Sequence, residues 1–413
     1  MATPHLTDQA LPTIVICHLK RTPVGRYGGA LKNVPAEDLA STVVTAVMKD
    51  SGLDPAAIDD LIFGQASPSS AAPALGRIVA LNSGLGERVP GMQLDRRCGS
   101  GLQAITTAAA HIATGAADLI IAGGAESMSQ TEYAVDGSIR WGVKGGAMEL
   151  HDRLAQGREQ AGGKNHPIPG GMIETAENLR REYSIPRGKQ DKLAVSSHRR
   201  AANAQQQGFF DAEIVPVRIP QRKGDDIIVE KDEHIRPETS MDSVQKLRAV
   251  RSKLDDDATV TAGNASGQND GAAAMIVTTA ENAEKLGLTP AVKLVGWAVA
   301  GVAPETMGIG PVAAVDKLFQ RLQLSFDDID LIELNEAFAA QALACLHEWG
   351  IDADDPRLNP SGSGISLGHP VGATGARMMV TAAHYMHRTE AQRGLVTMCI
   401  GGGQGLAAVI EKV

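Results

Sequence analysis

The chain has 413 residues, enough for two or three domains at roughly 150 residues each, so no disulfide or metal is needed to hold a core. Lys and Arg number 39 against 48 Asp and Glu, a formal charge of −9, and aromatics are 3% of the residues; this argues against nucleic acid or an anionic membrane surface as partner. No run of about 18 apolar residues exists, so no membrane span is expected.

The opening MATPHLTDQALPT has neither the basic-then-apolar order of a secretory signal nor the Arg-rich look of a transit peptide. The four cysteines (Cys17, Cys98, Cys345, Cys399) lack metal-type CxxC spacing, so a reducing, cytoplasmic location is expected. Ile14-Val15-Ile16 predicts a strand. Residues 36–49 place Leu39, Val43, Ala46 and Val47 at helical spacing. Residues 60–64 predict a second strand. Residues 118–124 form a continuous apolar run, which suits a strand covered on both faces. Strand and helix alternate, which implies an α/β class with a parallel sheet.

The middle differs. Residues 129–172 are rich in Gly, His and charge, with little periodicity. Helices are predicted over 175–183 and 187–207. A hairpin is predicted from strands 215–219 and 226–230 around Lys223-Gly224-Asp225. Residues 129–266 thus form an irregular insertion. The last third resumes the α/β pattern and echoes the first. LDPAAIDDLI at 53–62 matches LSFDDIDLI at 324–332, each running from a capping Asp or Ser into an Asp-Leu-Ile strand. A weaker echo relates residues 108–124 to 381–402. Two copies of one fold are expected.

Four segments could carry chemistry. Cys98 falls between an alternating strand pattern (Met92, Leu94) and a helical face (Leu102, Ile105, Ala109, Ile112). At a helix N-terminus the dipole favours a thiolate; a buried structural cysteine is the alternative. His369, in GISLGHPVGATG, sits at the expected start of a second helix, where a neutral imidazole is favoured and can accept a proton. A turn-capping histidine is the alternative. Cys399 ends an apolar strand before Gly401-Gly402-Gly403, at the sheet edge where ligands bind, or it is a small residue before a tight turn. Asn335-Glu336 joins a strand to an apolar helix and could equally be a cap. Cys17 and Cys345 read as core filler.

Together these segments resemble the thiolase family. That family's pattern is Cys-Gly/Ala-Ser-Gly, Asn-Glu-Ala-Phe-Ala, Gly-His-Pro and Cys-x-Gly-Gly-Gly, in that order. Here they stand at Cys98–Gly101, Asn335–Ala339, Gly368–Pro370 and Cys399–Gly403. Arg21-Thr22-Pro23-Val24-Gly25 and residues 261–267 (TAGNASG) extend the match to about residues 13–413.

The resemblance implies a five-layer α/β fold of two duplicated halves, each with a mixed five-stranded sheet. It divides the chain into an N-terminal half (1–128 with 267–286), a CoA-binding loop domain (129–266) and a C-terminal half (287–413). It implies a homo-oligomer, dimer or tetramer, acting on acyl-CoA and CoA, with no metal and no cofactor beyond coenzyme A as substrate and product. Cys98 would be the nucleophile that carries the acyl group, and His369 would take its proton. Cys399 would be the acid and base at carbon. Asn335 would hold a water that, with His369, binds the enolate oxygen. The N–H groups of Cys98 and Gly401 would bind the tetrahedral oxygen. Ser266 would contact pantetheine, Arg236 the adenine and phosphate end, and Met172 and Met307 the acyl group.

Departures concern the acyl pocket. Gly171-Met172-Ile173 replaces the His-Met-Gly of many short-chain members, and Met172-Ile173-Glu174-Thr175-Ala176 resembles the Met-x-Glu-Thr-Ala of some 3-oxoadipyl-type members. The usual Lys-Leu-Arg-Pro-Ala-Phe becomes KLRAVR at 246–251. Arg140, Lys144, Arg153, Arg158 and Lys164 make 138–171 unusually basic. A wider pocket, or one receiving a charged acyl tail, is one reading. A ketoacyl-ACP synthase, a non-catalytic thiolase-like lipid carrier and a dinucleotide-binding protein are the rivals. Cys399 with Asn335-Glu336 disfavours the first. The presence of Cys98, His369 and Cys399 disfavours the second. The lack of a GxGxxG with a following ribose-binding acid disfavours the third.

Overall fold

The apolar runs near both ends of the chain become strands of one hydrogen-bonded path. The structure, a computed structural model, describes residues 11–143 and 145–413; the opening ten residues and Lys144, both read above, lie outside the described residues. The strands on the path are β1 (Ile14–Arg21), β2 (Asp60–Gly64), β3 (Met92–Leu94), β4 (Leu119–Ser127), β5 (Asn269–Thr279), β6 (Pro290–Gly301), β7 (Leu331–Leu334), β8 (Arg393–Ile400) and β9 (Gln404–Lys412). The helices used below are α1 (Ala36–Ser51), α2 (Leu75–Asn82), α3 (Ser100–Ala113), α4 (Arg153–Glu159), α5 (Gly171–Glu182), α6 (Arg187–Gln206), α7 (Gly310–Leu322), α8 (Ala339–Trp349) and α9 (Thr374–Arg388).

The strand order is β3-β2-β4-β5-β1 in the first half and, from the other end, β7-β8-β9-β6 in the second. A single parallel bridge, Ile332 to Leu358, occupies the place next to β7 that β3 fills next to β2. The two halves therefore repeat one order, with the fifth position of the second half reduced to one residue pair. β2 runs parallel to β3 and β4, and β7 to β8, while the other pairs on the path are antiparallel. The sheet is mixed, as the resemblance implied, and not simply parallel. The halves join where β1 pairs antiparallel with β6.

Layering follows from side-chain alternation. Ile14, Ile16, Ile62, Ile120 and Ala122 turn to a central core with α3 and α9. Their neighbours Val15, Cys17, Leu61, Phe63, Leu119 and Ile121 turn to an outer core with α1 and α2. In the second half, Val396, Met398, Leu406 and Ile410 face the same central core. Leu395, Ala407 and Val409 face α7 and α8 outside. Helix, sheet, paired helices, sheet, helix makes five layers. Cys17 and Cys345 are fully buried in the two outer cores, as core filler would be.

The echoed segments fold alike. Asp54 caps a short 3-10 turn before β2, and Ser325 caps one before β7. At the centre, α3 and α9 meet through equivalent glycines. A Cβ on Gly101 would lie 2.8 Å from the Ala376 nitrogen, and one on Gly375 would lie 2.5 Å from the Leu102 nitrogen. Backbone cannot yield at that spacing, so both positions require glycine. Reciprocal contacts of this kind are what two copies related by a two-fold axis make.

The segment between β4 and β5 departs most from expectation. α4 forms within the stretch read as irregular, its N-terminus capped by Asp152 accepting from the Leu154 N–H at 2.9 Å. α5 begins at Gly171, four residues before the predicted Thr175. The predicted hairpin is present but shorter, Val217–Ile219 with Ile227–Val229.

Candidate active site

Cys98 lies on a 3-10 turn, Arg97–Gly99, between β3 and α3. Arg97 holds the turn in the left-handed region, φ 46°. Its N–H donates to Asp95 Oδ1 at 2.6 Å, and its guanidinium donates to the carbonyls of Ala66 (3.1 Å) and Gly157 (3.0 Å). These anchors offset a backbone geometry that is costly for a non-glycine residue. Cys98 is half-buried and faces a cavity of about 370 Å³. Burial pushes its thiol pKa up. The Gly401 N–H, the Arg97 charge and the Cys98 N–H pull it back only in part. The helix-terminus argument predicted a thiolate; desolvation outweighs it, and the resting group is a thiol.

His369 lines the same cavity and is 6% exposed. The segment after it differs from the prediction. Pro370–Ala373 is a turn, with the Ala373 N–H donating to the Pro370 carbonyl, and α9 starts only at Thr374. The neutral imidazole arises otherwise. Burial, reinforced by the Arg377 and Arg158 charges, lowers the His369 pKa to about 3. The Thr374 hydroxyl donates to the Pro370 carbonyl at 2.8 Å and lies 2.7 Å from His369 Nδ1. Having spent its proton there, the hydroxyl accepts from Nδ1–H, which leaves the lone pair on Nε2. The His369 N–H donates to Asn269 Oδ1 at 2.9 Å, and Asn269 Nδ2 donates to the Gly25 carbonyl at 2.9 Å. The Arg21–Gly25 segment thereby supports the histidine loop.

Cys399 is fully buried near the end of β8, in one apolar cluster with Met172, Met307 and Phe338. Its pKa is raised well above the ordinary value, first by burial and then by the nearby Cys98. Gly401, just beyond, lines the cavity. Gly402 and Gly403 follow at φ 91° and 84°, so this turn requires glycine. A Cβ on Gly99 would lie 2.5 Å from Ile400 Cδ1, and one on Gly401 would lie 3.4 Å from Met172 Sδ. The two cysteine turns are therefore in contact.

Ser266, Met172 and Met307 also line the cavity. The Ser266 N–H donates to the Ala337 carbonyl at 2.9 Å, which ties the 261–267 segment to the Asn-Glu-Ala-Phe-Ala segment. Asn335 and Glu336 precede α8, which starts at Ala339 and not directly after them. Both are buried and off the cavity lining. Asn335's amide oxygen and nitrogen have no partner among the described residues. Glu336 accepts from Ser197 Oγ (2.6 Å) and Asn359 Nδ2 (3.0 Å), a structural link. Arg236 is exposed and is not brought to the cavity; its N–H donates to His198 Nδ1 at 3.2 Å.

Two site residues were not singled out by motif. Glu126, at the end of β4, is fully buried. It accepts from the N–H groups of Ala66 (3.0 Å), Ser67 (3.1 Å) and Gly372 (2.8 Å), and burial raises its pKa to about 7. A lone acid closing a strand of apolar residues was its one signal. Arg158 projects from α4 to the cavity; its signal was the unusual basicity of 138–171.

The chain matches family models described as "Thiolase, N-terminal domain" over residues 14–281 and "Thiolase, C-terminal domain" over 288–412. A Pseudomonas aeruginosa protein named beta-ketoadipyl-CoA thiolase is 46% identical over 407 residues, covering 97% of this chain and 99% of that protein. A Staphylococcus aureus protein named "Probable acetyl-CoA acyltransferase" is 44% identical over 400 residues, with the same coverage of 97% and 99%. The crystal structure of a Bacillus anthracis acetyl-CoA acetyltransferase superposes with a TM-score of 0.92 at 39% identity, covering 98% of this chain and 100% of that one. That of human mitochondrial 3-ketoacyl-CoA thiolase gives 0.91 at 37% identity, with coverage of 98% and 100%.

Proposed function

The chain belongs to the thiolase family and is an acyltransferase acting on acyl-CoA and CoA, and we propose that Cys98, His369 and Cys399 carry its chemistry. The carrying observation is the cavity lined together by Cys98, His369 and Gly401, with Cys399 fully buried behind it in one cluster with the lining residues Met172, Met307 and Phe338.

In cleavage, the Cys98 sulfur attacks the 3-oxo carbon of a 3-oxoacyl-CoA while its proton passes to His369 Nε2. The tetrahedral oxygen is held by the N–H groups of Cys98 and Gly401. The bond between carbons 2 and 3 then breaks, and its electron pair moves to carbon 2, giving the enolate of acetyl-CoA. Protonated His369 and a water on Asn335 hold the enolate oxygen; the buried, unpartnered Asn335 amide supports that assignment. The Cys399 thiol protonates carbon 2. Acetyl-CoA leaves, and the acyl group stays on Cys98 as a thioester. A new CoA thiol gives its proton to the Cys399 thiolate and attacks that thioester. Cys98 departs as thiolate and recovers its proton from His369. Condensation is the reverse. The cycle calls on no metal or organic cofactor.

Residues 129–266 are proposed to hold CoA, with Ser266 on the pantetheine and Arg236 toward the adenine and phosphates. Met172 and Met307 line the acyl pocket. A homodimer or tetramer is proposed; the exposed apolar side chains of Tyr133, Ile139, Trp141, Met148 and Leu150, with Trp141 88% exposed, support assembly. No helix of the described residues is long and apolar enough to cross a membrane, and a cytoplasmic location is proposed. A 3-oxoadipyl-type substrate is the second reading, favoured by the names of the Pseudomonas relatives.

Mass spectrometry after mixing with acetyl-CoA tests the assignment. One acetyl group on Cys98 is expected, absent in Cys98→Ala. Cys399→Ala is expected to keep the adduct and to lose about 10²–10⁴ in acetoacetyl-CoA cleavage, the usual worth of an acid or base. A wild-type enzyme without the adduct overturns the reading.

A further inference from the structure

Three arginines line the cavity: Arg97, Arg153 and Arg158. Two are already engaged with acids. Arg97 is 3.8 Å from Asp95 and bonded to two carbonyls, and Arg153 is 3.1 Å from Glu132. Arg158 has no carboxylate within salt-bridge distance among the described residues. Its Nη1 and Nη2 meet the Gln268 amide oxygen at 2.9 and 2.8 Å, once that amide is turned so that its oxygen faces them. One neutral oxygen cannot balance a guanidinium. The side chain is also held in place. Its Cβ lies 3.2 Å from where a Cβ on Gly171 would stand, so α4 packs closely on the start of α5.

The surroundings give this cation a purpose. Burial lowers the Arg158 pKa despite attraction to Asp152, and its charge is felt by both Cys98 and His369. The rest of the lining includes one acid, the exposed Glu159, which makes no salt bridge to Arg158, and an apolar part formed by Met172, Met307 and Phe338. An apolar acyl chain drawn past those residues would complete the desolvation of a guanidinium that has no carboxylate within salt-bridge distance among the described residues, which is costly. A chain ending in a carboxylate would place a planar, bidentate acceptor against it.

We propose that Arg158 is the specificity-determining residue of the acyl pocket and that the acyl group it selects is short and ends in a carboxylate. With 3-oxoadipyl-CoA the thioester on Cys98 is then succinyl. This rests on the thiolase chemistry assigned to Cys98 above.

3-Oxoadipyl-CoA and 3-oxohexanoyl-CoA have acyl chains of equal carbon number and differ in a terminal carboxylate against a methyl, so their kcat/KM ratio isolates the charge. In the wild-type enzyme the ratio is expected to favour 3-oxoadipyl-CoA at least about tenfold, the worth of one charge-assisted pair. In Arg158→Leu the ratio falls at least about tenfold, mainly through KM for the acidic substrate, and in Arg158→Lys it falls less. Both substrates are assayed on one preparation, so any loss of folded enzyme cancels. A wild-type ratio favouring 3-oxohexanoyl-CoA overturns the proposal without any variant, and so does a ratio unchanged in Arg158→Leu. Acyl adducts on Cys98 from both substrates, with an unmoved ratio, overturn Arg158 alone. No adduct from either overturns the Cys98 chemistry beneath it.

Discussion

Cys98 and Cys399 carry the same thiol and differ in what surrounds it. Cys98 has two backbone N–H groups and the Arg97 charge at its sulfur. Cys399 sits among Met172, Met307 and Phe338 and keeps its proton. The first setting suits a sulfur that must become negative on demand; the second suits one that must donate a proton to carbon. Burial raises the Cys98 pKa above its ordinary value and lowers that of His369 to about 3, so the neutral thiol and imidazole are favoured over a thiolate–imidazolium pair at rest. Alkylation of Cys98 by iodoacetamide is therefore expected to accelerate about tenfold per pH unit between pH 7 and 9, following the thiolate fraction. A rate already flat below pH 7 would mean that the ion pair is preformed. Cys98, His369 and Cys399 were legible because each stands in a glycine-marked turn. Arg158 was legible only as one of five basic residues in 138–171, and Glu126 was not singled out, because what distinguishes each is what it meets across the fold: a cavity wall for one, and amides of two distant loops for the other.

Between elements, the decisive contact is the crossing of α3 and α9. Gly101 and Gly375 let the two helices touch backbone to backbone, and the loops that precede them carry Cys98 and His369. Gly375→Ala would drive a methyl into the Leu102 nitrogen and Cβ, at 2.5 and 2.6 Å. The helices must part, at a cost of about 1–3 kcal/mol for overpacking. Since small misplacements in an active site cost large factors in rate, kcat is expected to fall at least about tenfold, with a lowered Tm. A kcat within twofold of wild type would show that the crossing does not set the site. β4 was legible because a strand buried on both faces needs a continuous apolar run, whereas β5 and β6, the longest at 11 and 12 residues, were not read from the sequence. The start of α5 was not, because Gly170-Gly171 is poor helix sequence, and α4 was hidden by its length of seven residues. The helix after His369 was placed too early, because Pro370 fits the first turn of a helix as well as the tight turn it actually forms.

At the scale of the molecule, Glu126 couples the halves. It closes β4 of the first half and accepts from Ala66 and Ser67 beside it and from Gly372 of the second. Burial raises its pKa from 4.5 to about 7. The folded protein thus holds a proton that the unfolded chain has lost. That contribution is fully present below about pH 4.5 and is lost as the pH rises through about 7. Urea unfolding of wild type and Glu126→Gln should therefore show the stability difference moving against the wild type between pH 5 and 8, by on the order of 2 kcal/mol. A difference independent of pH would mean that the carboxylate is ionised throughout.

The junction between the halves is a short antiparallel seam, Val15 opposite Lys293, Ile16 opposite Val292 and Cys17 opposite Pro290. Each partner strand hides the other's unpaired amides and carbonyls. Were the chain severed in the linker between β5 and β6, β1 would be left on the border of its own sheet, presenting Ile14 to Cys17 as a bare ribbon. Such a ribbon invites any passing strand to zip onto it. Duplication here has produced two copies that shield each other's raw margins, so neither is expected to survive alone as a soluble piece.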